Sequence, residues 1–541
     1  MKRPVPKKPK FVFVTGGTVS GLGKGITVAS IAALLKSRGL AVLPIKADPY
    51  LNKDAGTMNP YQHGEVFVTD DGAETDLDLG HYERFTGLDL GHDSNFTTGA
   101  VYGKVIDDER KGKFLGKTIQ IIPHITDEIK ARIRGAAKRR KADVCVVEIG
   151  GTVGDIEAEP YLEAVRQMIQ EEGSEHAVSV HVVKMDYIYP SDEPKTKPIQ
   201  QSVALLRARG VQPDFLAVRC KRPLAKGDFE KISLFTNVPV VRIIPAVDVG
   251  ILYEVAMNFK RSKFDDLLLE RFRLRGRKRD MKEWGRALAK MKRAKRRVRI
   301  ALVGKYVENG DAYLSVIEAV KTAAGHAGAV AEIVQVESET DDVLKKIKDV
   351  DGIIVPGGFG KRGIEGKIRA VRFAREHDVP FLGLCLGLQI AVIEFARNVC
   401  GVRGANSTEF DSGTHHPVID ILPSQKDVEE MGGTMRLGSM VAALARGSKV
   451  AALYGSEKIA ERHRHRYEVN PEYHEKLLKG GLAFGGINTS DKRLVEFVEL
   501  PERRFFVATQ AHPEFKSKFL SPHPLFTGLV KAALRKKEAK K

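Results

Sequence analysis

Short apolar runs that end at glycine turns recur along the chain, and most are followed by a stretch of helical periodicity. The clearest runs are FVFV at 11–14, VCVV at 144–147, RIALVG at 299–304, GIIV at 352–355 and FLGL at 381–384. Apolar runs of four to eight residues without polar alternation are typical of strands that are buried on both faces of a sheet. Because these strands alternate with helical segments, the pattern predicts an α/β protein.

The pattern restarts at Arg297, so we interpret the chain as two α/β domains joined by a linker. A length of 541 residues would allow three or four domains of average size, but α/β domains are often large. The predicted parts are a basic tail at 1–10, a first domain at 11–270, a linker at 271–297, a second domain at 298–534 and a basic tail at 535–541.

The first strand runs directly into the glycine-rich turn TGGTVSGLGKG at 15–25. Strand, glycine loop, Lys24 and the helix that follows are the parts of a phosphate site, in which backbone N–H groups and a helix N-terminus face the anion. The turn departs from the P-loop pattern, which has Gly where Thr18 stands and Ser or Thr where Gly25 stands. A plain glycine turn with a solvated lysine is the alternative, and the order of elements favours nucleotide phosphates.

Carboxylates are expected to hold Mg²⁺, because Gly25 cannot supply the hydroxyl that binds the metal in a P-loop. One candidate group is an acidic cluster in the polar segment 48–85, with members Asp70, Asp71, Glu74, Asp76 and Asp78. The other is Glu148, at the carboxyl end of a strand, where ligands of open α/β sheets collect. The alternatives are a solvated acidic loop and a strand-end carboxylate that is merely hydrogen-bonded.

In the second domain, the strand that ends in GLCLG turns abruptly into a helix at Cys385. This pattern is typical of a nucleophile elbow, where a helix N-terminus stabilises the thiolate. His512 and Glu514, in AHPEF, supply a base and the group that orients it, which predicts a Cys-His-Glu triad. A cysteine after an apolar strand is otherwise a core residue, as we interpret Cys145.

These motifs carry a resemblance to a known family. TGGTVSGLGKG, the segment 48–85 and EIGGTVGDIE resemble the synthetase domain of the CTP synthase family, from Lys10 to about Lys260. From Arg297 onward the chain is similar to class I glutamine amidotransferases. The resemblance implies a P-loop-type, dethiobiotin-synthetase-like parallel-sheet domain followed by a class I glutaminase α/β domain.

The resemblance also implies an activity, a set of ligands and an assembly. ATP would phosphorylate O4 of UTP, and ammonia released from glutamine would displace that phosphate to give CTP. Mg²⁺ would be required, ATP would be a co-substrate, GTP would activate the enzyme and CTP would inhibit it. The expected form is a cytoplasmic homotetramer.

The resemblance further implies a role for individual positions in the first domain. The implied ATP contacts are Ser20, Gly21, Leu22, Gly23, Lys24, Gly25, Ile26, Lys46 and Asp78, and the implied Mg²⁺ ligands are Asp78 and Glu148. The implied UTP contacts are Ser20, Lys195, Lys197, Gln200 and Lys231, and the implied contacts of inhibitory CTP are Asp155, Ile156, Glu157 and Phe235. Three prolines between 190 and 198 place Lys195 and Lys197 in a loop, ahead of a helix that starts near Ile199.

Positions of the glutaminase reaction follow from the same resemblance. The implied oxyanion donors are Gly358 and the N–H of Leu386, and the implied glutamine contacts are Gly358, Gln389, Glu409 and Arg466. The implied GTP contacts are Phe359 and Arg362, and the implied ammonia gate comprises Pro60, His63 and Val66. From the residues alone, GGFGKRG at 357–363 is also compatible with a plain glycine turn, and His63 with a hydrogen-bonded loop histidine.

Charge and cysteine content argue against a nucleic-acid-binding, membrane or secreted protein. The formal net charge is +19, but the linker carries +12 and the two tails +5 and +4, so the folded body is close to neutral, at about −2. We interpret the linker as a solvated helical segment, since no nucleic-acid recognition motif accompanies it. Four cysteines without a C-x-x-C pair and no apolar run long enough for a bilayer or a signal peptide predict a cytosolic protein.

Two other functions remain open at this point. One is another glutamine-dependent amidoligase of the same fold, such as cobyric acid synthase, and Lys195, Lys197 and Gln200 favour CTP synthase over it. The other is a catalytically silent nucleotide-binding scaffold, which predicts the loss of at least one chemical group. All the groups expected of both active sites are present: Lys24, Asp78, Glu148, Cys385, His512 and Glu514.

Overall fold

A computed structural model describes residues 8–17, 19–305, 310–421 and 435–539. Thr18 and the outer parts of the two basic tails lie outside the described residues. The chain divides into two compact units, and each is made of two stretches of sequence. The first unit comprises Met1–Ala55 and Asp78–Leu288, and the second comprises Gly56–Leu77 and Ala289–Lys541.

The secondary structure follows the alternation that the sequence predicts. The strands are β1 Lys10–Gly16, β2 Val42–Asp48, β3 Phe67–Val68, β4 Glu74–Thr75, β5 Asn95–Thr97, β6 Val144–Ile149, β7 Ala177–Lys184, β8 Asp186–Ile188, β9 Glu193–Lys195, β10 Phe215–Cys220, β11 Ile243–Val247, β12 Arg296–Gly304, β13 Ala329–Glu337, β14 Gly352–Val355, β15 Phe381–Leu384, β16 Asn406–Ser407, β17 Pro417–Ile421, β18 Arg436–Leu444, β19 Lys458–His465, β20 Tyr467–Val469, β21 Ala483–Asn488, β22 Val495–Glu499 and β23 Phe506–Thr509. The helices are α1 Lys24–Ser37, α2 Pro60–His63, α3 Asp78–Thr86, α4 Thr98–Arg110, α5 Thr126–Arg139, α6 Glu159–Glu172, α7 Lys197–Ala208, α8 Lys226–Thr236, α9 Glu254–Arg261, α10 Phe264–Arg271, α11 Lys282–Arg293, α12 Leu314–His326, α13 Val343–Ile347, α14 Ile364–Glu376, α15 Leu386–Asn398, α16 Lys449–Tyr454, α17 His474–Lys479 and α18 Pro524–Ala539.

The first unit is built on a seven-stranded sheet with the order β11-β10-β7-β1-β6-β2-β5. All of its pairings are parallel, as the continuous apolar runs predict. β1 and β6 are buried along their whole length. The register sets Val14 and Lys46 beside Glu148, so the end of β1, Lys46 and Glu148 share one level near the carboxyl edge of the sheet.

The second unit is built on a nine-stranded sheet with the order β13-β12-β14-β15-β23-β22-β21-β18-β19. The first five strands are parallel, and the last four extend the sheet in antiparallel fashion. Because β14, β15 and β23 are neighbours, the turns that follow them at 356–358, 385 and 510–514 lie at one edge. The topology therefore brings together the predicted oxyanion turn, the predicted nucleophile and its predicted base.

Residues 56–77, here called the inserted segment, pack with the second unit, whereas the sequence places them within the first domain. Their acidic side chains bind arginines of β19: Arg462 Nε donates to Asp70 Oδ1 at 2.6 Å, and Arg464 Nε donates to Glu74 Oε1 at 2.7 Å. Arg462 is fully buried and also stacks over the ring of Phe67, at 5.4 Å. These long-range ion pairs explain why the segment leaves the sheet domain that encloses it in sequence.

The basic linker is not a solvated segment over its whole length. Helix α11 buries Trp284 and Leu288, which lie one turn apart on the same face. In the first unit, Trp284 Nε1 donates to the carbonyl of Tyr253 at 3.0 Å, and its ring lies 5.6 Å from that of Phe85. The two apolar residues within the basic run therefore pack one face of the helix against the protein, and the charged residues lie on its other face.

Two absences hold within the described residues. None of the helices there is long and apolar enough to cross a membrane. The four cysteines, which all fall in the described ranges, are free thiols.

Candidate active sites

The glycine turn after β1 places Lys24 at the first position of α1. Gly23 caps the helix with φ 98°, a left-handed conformation that glycine adopts with little strain and other residues rarely adopt. Lys24 Nζ donates to the carbonyl of Gly151 at 2.7 Å, across the carboxyl edge of the sheet. Burial lowers the pKa of Lys24, while the carboxylate of Glu148 opposes that shift.

The absence of a hydroxyl at position 25 has a steric cause. Gly25 faces Asp78, and a Cβ atom added at Gly25 would lie 1.9 Å from Asp78 Oδ1. Asp78 begins α3, so the carboxylate occupies the space that a P-loop gives to the side chain of its Ser or Thr. The departure from the P-loop pattern is thus compensated by a carboxylate from another element.

Gly25→Ser, which restores the P-loop consensus at this position, should lower the CTP synthesis that the resemblance implies by at least ~100-fold, because it displaces Asp78. The rate should fall to the same extent with glutamine and with ammonia as nitrogen donor. Gly103→Ser is the matched control, since a Cβ at Gly103 meets nothing within 4 Å. Steady-state rates of CTP formation check the prediction, and an active Gly25→Ser enzyme would contradict the steric explanation.

Asp78 and Glu148 converge on the ammonium group of Lys46. Lys46 Nζ donates to Glu148 Oε1 at 2.9 Å and forms a short contact with Asp78 Oδ2, and Asp48 Oδ1 lies 3.7 Å away. Tyr82 donates its hydroxyl hydrogen to the other oxygen of Glu148. Burial raises the pKa of Glu148, and the neighbouring charge of Asp78 raises it further. Two close carboxylates at the mouth of a phosphate loop are a donor set that suits Mg²⁺, which takes its remaining ligands from phosphate and water.

The other acids of the segment 48–85 do not form a metal site. Asp70 and Glu74 are bound to arginines, and Asp71 accepts a hydrogen bond from Thr69. In the described part of the chain, no group of three or more His, Cys, Asp or Glu side chains is arranged to hold a metal ion. These protein partners of Asp70, Asp71 and Glu74 argue against the interpretation of the acidic cluster as a hard-cation site, and Asp78 stays a predicted Mg²⁺ ligand.

The phosphate loop also lines a cavity of about 430 Å³ in the first unit. Its walls are the loop residues 19–22 and the carboxyl ends of β7 and β10, at 184–187 and 219–221. A second cavity, of about 240 Å³, is lined by Leu22, Gly23 and Ile26 together with apolar residues of 246–255. The predicted ATP residues 20–26 lie on this loop and in the first turn of α1, while Lys46 and Asp78 are not among the residues that line either cavity.

Four of the five predicted UTP residues, all but Ser20, belong to β9 and helices α7 and α8, and the local structure around Lys195 and Lys197 differs from the prediction. Lys195 ends strand β9 and Lys197 begins helix α7, two residues earlier than expected, because Pro198 is tolerated in the first turn of a helix. Lys195 Nζ pairs with Glu193 Oε1 at 2.8 Å. The hydrogen bond from Lys195 lowers the pKa of Glu193, and the charge of Lys231 adds to the shift, which places Lys231 near this pair.

One residue predicted for inhibitory CTP lies against this lysine cluster. Lys197 Nζ is 6.0 Å from the centre of the Phe235 ring. Gln200 Nε2 donates to Thr196 Oγ1 at 3.1 Å, one turn into α7. The other predicted residues, Asp155, Ile156 and Glu157, are exposed on the turn after β6, and no described contact joins them to Phe235.

The nucleophile elbow has the strained backbone that its sequence predicts. Cys385 adopts φ 50° and ψ −102°, a backbone conformation that residues other than Gly rarely adopt, and it caps helix α15. The backbone N–H of Cys385 donates to Thr509 O at 2.7 Å, which fixes the elbow to β23. Gly383 and Gly387 allow the close approach, because a Cβ on either would lie within 2.8 Å of neighbouring backbone or side-chain atoms.

His512 and Glu514 complete the triad. His512 Nδ1 is 2.7 Å from Glu514 Oε1, and both side chains are buried. Burial alone would lower the pKa of His512, but the charge of Glu514 and the charge and hydrogen bond of Cys385 raise it to about 10. At neutral pH the imidazole is therefore protonated beside the sulfur, the arrangement that a thiolate nucleophile needs.

A cavity of about 200 Å³ joins the predicted glutaminase residues in the second unit. It is lined by Cys385, His512, Glu514, the oxyanion turn at 356–359 and Arg464, and also by Pro60, Glu65 and Val66 of the inserted segment. Gly357 must be glycine, since a Cβ there would lie 2.6 Å from Cε1 of His512. Gly358 and Leu386 are adjacent: a Cβ on Gly358 would lie 3.6 Å from Leu386 Cδ2.

Three other residues predicted to contact glutamine lie in the second unit, outside the lining of this cavity. Glu409 Oε1 accepts from the N–H of Gly360 at 2.6 Å, and Gln389 Nε2 donates to Tyr467 O at 3.1 Å. Burial raises the pKa of Glu409, and the hydrogen bond from Gly360 and the charges of nearby cations, Arg466 among them, oppose that shift. His63 is exposed on α2 and is not among the residues that line the cavity.

Arg464 and Lys305 escape prediction from sequence, although both contact the loop that carries Phe359. The Arg464 guanidinium lies 5.1 Å from the centre of the Phe359 ring, and Lys305 donates to the Phe359 carbonyl. Arg362 pairs with Glu339 at 3.3 Å. The alternation R-H-R-H-R at 462–466 was an available signal, because a strand rarely ends in an unbroken run of cationic and polar residues.

Sequence comparison finds known protein families that match both parts of the chain. The family model described as CTP synthase N-terminus matches residues 10–274, and the model described as glutamine amidotransferase class-I matches residues 309–532. The CTP synthases of Caldanaerobacter subterraneus subsp. tengcongensis and Pyrococcus abyssi are each 54% identical to the chain, over 98% of it and 99% of their own length.

The chain belongs to the CTP synthase family. As a member of this family it is a ligase that makes CTP from UTP, with glutamine as nitrogen donor. Among solved structures, the glutaminase domain of Trypanosoma brucei CTPS with bound acivicin is 40% identical, with a TM-score of 0.42, over 44% of this chain and 94% of that one. The family membership confirms the two α/β folds and the activity that the sequence predicts, and it argues against the amidoligase and scaffold alternatives.

Proposed function

We propose that CTP synthesis in this protein is divided between a glutaminase centre at Cys385 and an amidoligase centre at Lys24, Lys46, Asp78 and Glu148. The observation that carries the proposal is the cavity in which Cys385, His512 and the turn at 357–358 meet. Each centre contains the groups of one half-reaction. The two half-reactions should therefore be separable by mutation.

At the glutaminase centre, the Cys385 thiolate attacks the carboxamide carbon of glutamine. The N–H groups of Gly358 and Leu386 stabilise the oxyanion, an effect worth ~3 kcal/mol per donor in acyl transfer. Protonated His512 gives its proton to the amide nitrogen, which departs as ammonia when the C–N bond breaks, and the glutamyl group stays on Cys385 as a thioester. His512 then activates a water molecule, which releases glutamate and restores the thiol.

At the amidoligase centre, O4 of UTP attacks the γ-phosphorus of ATP, with ADP as leaving group. Ammonia then adds to C4 of the phosphorylated uracil, phosphate departs and a proton is lost, which gives CTP. In this proposal Lys24 and Lys46 contact the phosphates of ATP, and Lys195, Lys197, Gln200 and Lys231 bind UTP. Asp78 and Glu148 would hold Mg²⁺, which neutralises charge on the phosphoryl group in transfer.

Ammonia must reach UTP before it is protonated in bulk water, because ammonium is not a nucleophile. Pro60 and Val66 line the glutaminase cavity, which supports a gate in the inserted segment. The gate as proposed includes His63, which lies on α2 with Pro60. The inserted segment, which carries the proposed gate, ends at Leu77, and the next residue is Asp78.

Three further ligand assignments belong to the proposal. GTP activates through Phe359 and Arg362, whose loop carries the oxyanion turn, so that an ordered loop completes the oxyanion hole. CTP inhibits through Asp155, Ile156, Glu157 and Phe235, and the contact of Phe235 with Lys197 supports an overlap with the UTP site. The assembly proposed is a cytoplasmic homotetramer.

A steady-state assay tests these assignments together. The purified protein is given UTP, ATP and Mg²⁺, with either glutamine or ammonium, and CTP formation is followed with and without GTP. GTP should stimulate the glutamine-dependent rate by ~5–150-fold, the usual size of a coupling between sites, and leave the ammonia-dependent rate unchanged. Equal stimulation of both rates would place the GTP effect outside the glutaminase.

A further inference from the structure

Two buried histidines lie behind the glutaminase centre and take no part in the triad. His463 and His465 point to the same side of β19, with ring atoms His463 Nδ1 and His465 Nε2 separated by 3.0 Å. Both side chains are at most 2% exposed. The backbone between them contacts the nucleophile, since the Cys385 thiol lies 3.7 Å from the carbonyl oxygen of Arg464.

Buried charged groups surround the two rings. Arg436 donates to Glu468 Oε1 at 2.7 Å and to Glu496 Oε1 at 2.6 Å. Glu468 Oε1 lies 3.5 Å from His465 Nδ1, and Glu496 Oε2 lies 3.6 Å from His463 Nε2. Burial and the charge of Arg436 lower the pKa of both histidines well below the usual range, so both rings are neutral at physiological pH.

The surroundings of His465 determine which ring nitrogens carry hydrogen. His465 Nδ1 lies 3.2 Å from the carbonyl oxygen of Tyr467, which can only accept, so the hydrogen is on Nδ1. A neutral ring then presents Nε2 as an acceptor. His463 must donate to it through Nδ1. The two rings form a chain of hydrogen bonds that ends at the carbonyl of Tyr467.

The same carbonyl holds the amide of Gln389. Gln389 Nε2 donates to Tyr467 O at 3.1 Å, and a rotated amide would set two oxygens against each other at that distance. Gln389 Oε1 is buried and has no hydrogen-bond partner in the described part of the chain. Gln389 lies one helical turn after Cys385, on the same face of α15. An unpaired buried acceptor in this position is available to an N–H group of the substrate.

We propose that His465 is a positioning residue of the glutaminase, because its Nδ1–H fixes the carbonyl of Tyr467 and thereby orients Gln389 to accept a hydrogen bond from glutamine. His463 supports this role by fixing the tautomer of His465. The inference rests on the proposed assignment of Gln389 to the glutamine site. We therefore expect the two histidines to affect the affinity for glutamine and to have no effect on the reaction with ammonia.

Three substitutions at one position separate this role from simple packing. His465→Asn retains an N–H at the position of Nδ1 and loses the contact with His463. His465→Gln retains the contact with His463 and loses the donor to Tyr467. His465→Leu loses both. We expect the KM for glutamine to remain within about threefold of the wild type in the Asn variant, and to rise about tenfold in the Gln and Leu variants.

Two measurements test the proposal on the full-length enzyme. One is the KM for glutamine beside the rate with ammonium, which should stay at the wild-type level in all three variants. The other is the concentration of glutamine that half-protects Cys385 from alkylation by iodoacetamide, which reports binding without turnover. A purely structural role would favour Gln over Asn, since Gln is closer to His in size, and that order or equal KM values would overturn the proposal.

Failure of the inference can be distinguished from failure of the proposed function. If glutamine does not protect Cys385 in the wild type, the glutamine site itself is misassigned. If the wild type is protected and the Gln and Leu variants bind glutamine equally well, the positioning role alone is overturned. If His465→Leu does not fold, the comparison of Asn with Gln decides the question, because both retain a polar amide in the same buried position.

Discussion

Cys385→Ala should abolish CTP synthesis from glutamine and leave synthesis from ammonia at the wild-type rate. The substitution removes the only atom that can form the glutamyl thioester, and loss of a catalytic nucleophile typically costs ~10⁴-fold or more. The amidoligase groups Lys46, Asp78 and Glu148 all belong to the other unit. Parallel assays with glutamine and with ammonium chloride measure both rates on one preparation.

Cys400→Ala is the matched control, because Cys400 is a free thiol of the same unit and lies outside the cavity. It should retain both activities. Loss of the ammonia-dependent rate in Cys385→Ala, with normal folding, would mean that the two centres are not chemically separate.

Asp78→Asn and Glu148→Gln should each abolish CTP synthesis with either nitrogen donor. Both carboxylates bind Lys46, and both are proposed to hold the cation that neutralises the transferring phosphoryl group. Electrostatic groups of this kind are worth ~10³-fold or more in phosphoryl transfer. Glutamine hydrolysis at Cys385 should remain measurable, because the triad contains neither residue. CTP and glutamate are measured in the same reaction.

Asp71→Asn serves as the control for these two variants. Asp71 belongs to the same acidic segment, but its described partner is the hydroxyl of Thr69. Its loss should change the rate by less than about threefold. Retention of full activity in both Asp78→Asn and Glu148→Gln at saturating Mg²⁺ would move the proposed metal site elsewhere.

The features that the sequence predicts best are those encoded by contiguous residues. The parallel sheets follow from buried apolar runs such as 11–14 and 144–147, since only a strand covered on both faces can be apolar at every position. The elbow at Cys385 is predicted because small residues must flank a reactive side chain on a tight turn. Its strained φ of 50° is the structural form of that pattern.

The features that escape prediction depend on contacts between distant residues. Gly25 is explained by Asp78, which lies 53 positions later in sequence, and no local pattern indicates that contact. The inserted segment packs with the second unit because Asp70 and Glu74 bind Arg462 and Arg464, almost 400 positions away. An acidic cluster has the same appearance in sequence whether its partners are metal ions or arginines.

The most direct test of the central claim follows the amide nitrogen of glutamine into the product. The enzyme is given UTP, ATP, Mg²⁺ and glutamine labelled with ¹⁵N at the amide, with excess unlabelled ammonium in the buffer, and the isotope content of CTP is measured by mass spectrometry. We expect the 4-amino group of CTP to carry ¹⁵N in the wild type and only ¹⁴N in Cys385→Ala. CTP from the wild type whose isotope content merely matches that of the bulk ammonium pool would contradict direct transfer from the Cys385 centre to UTP.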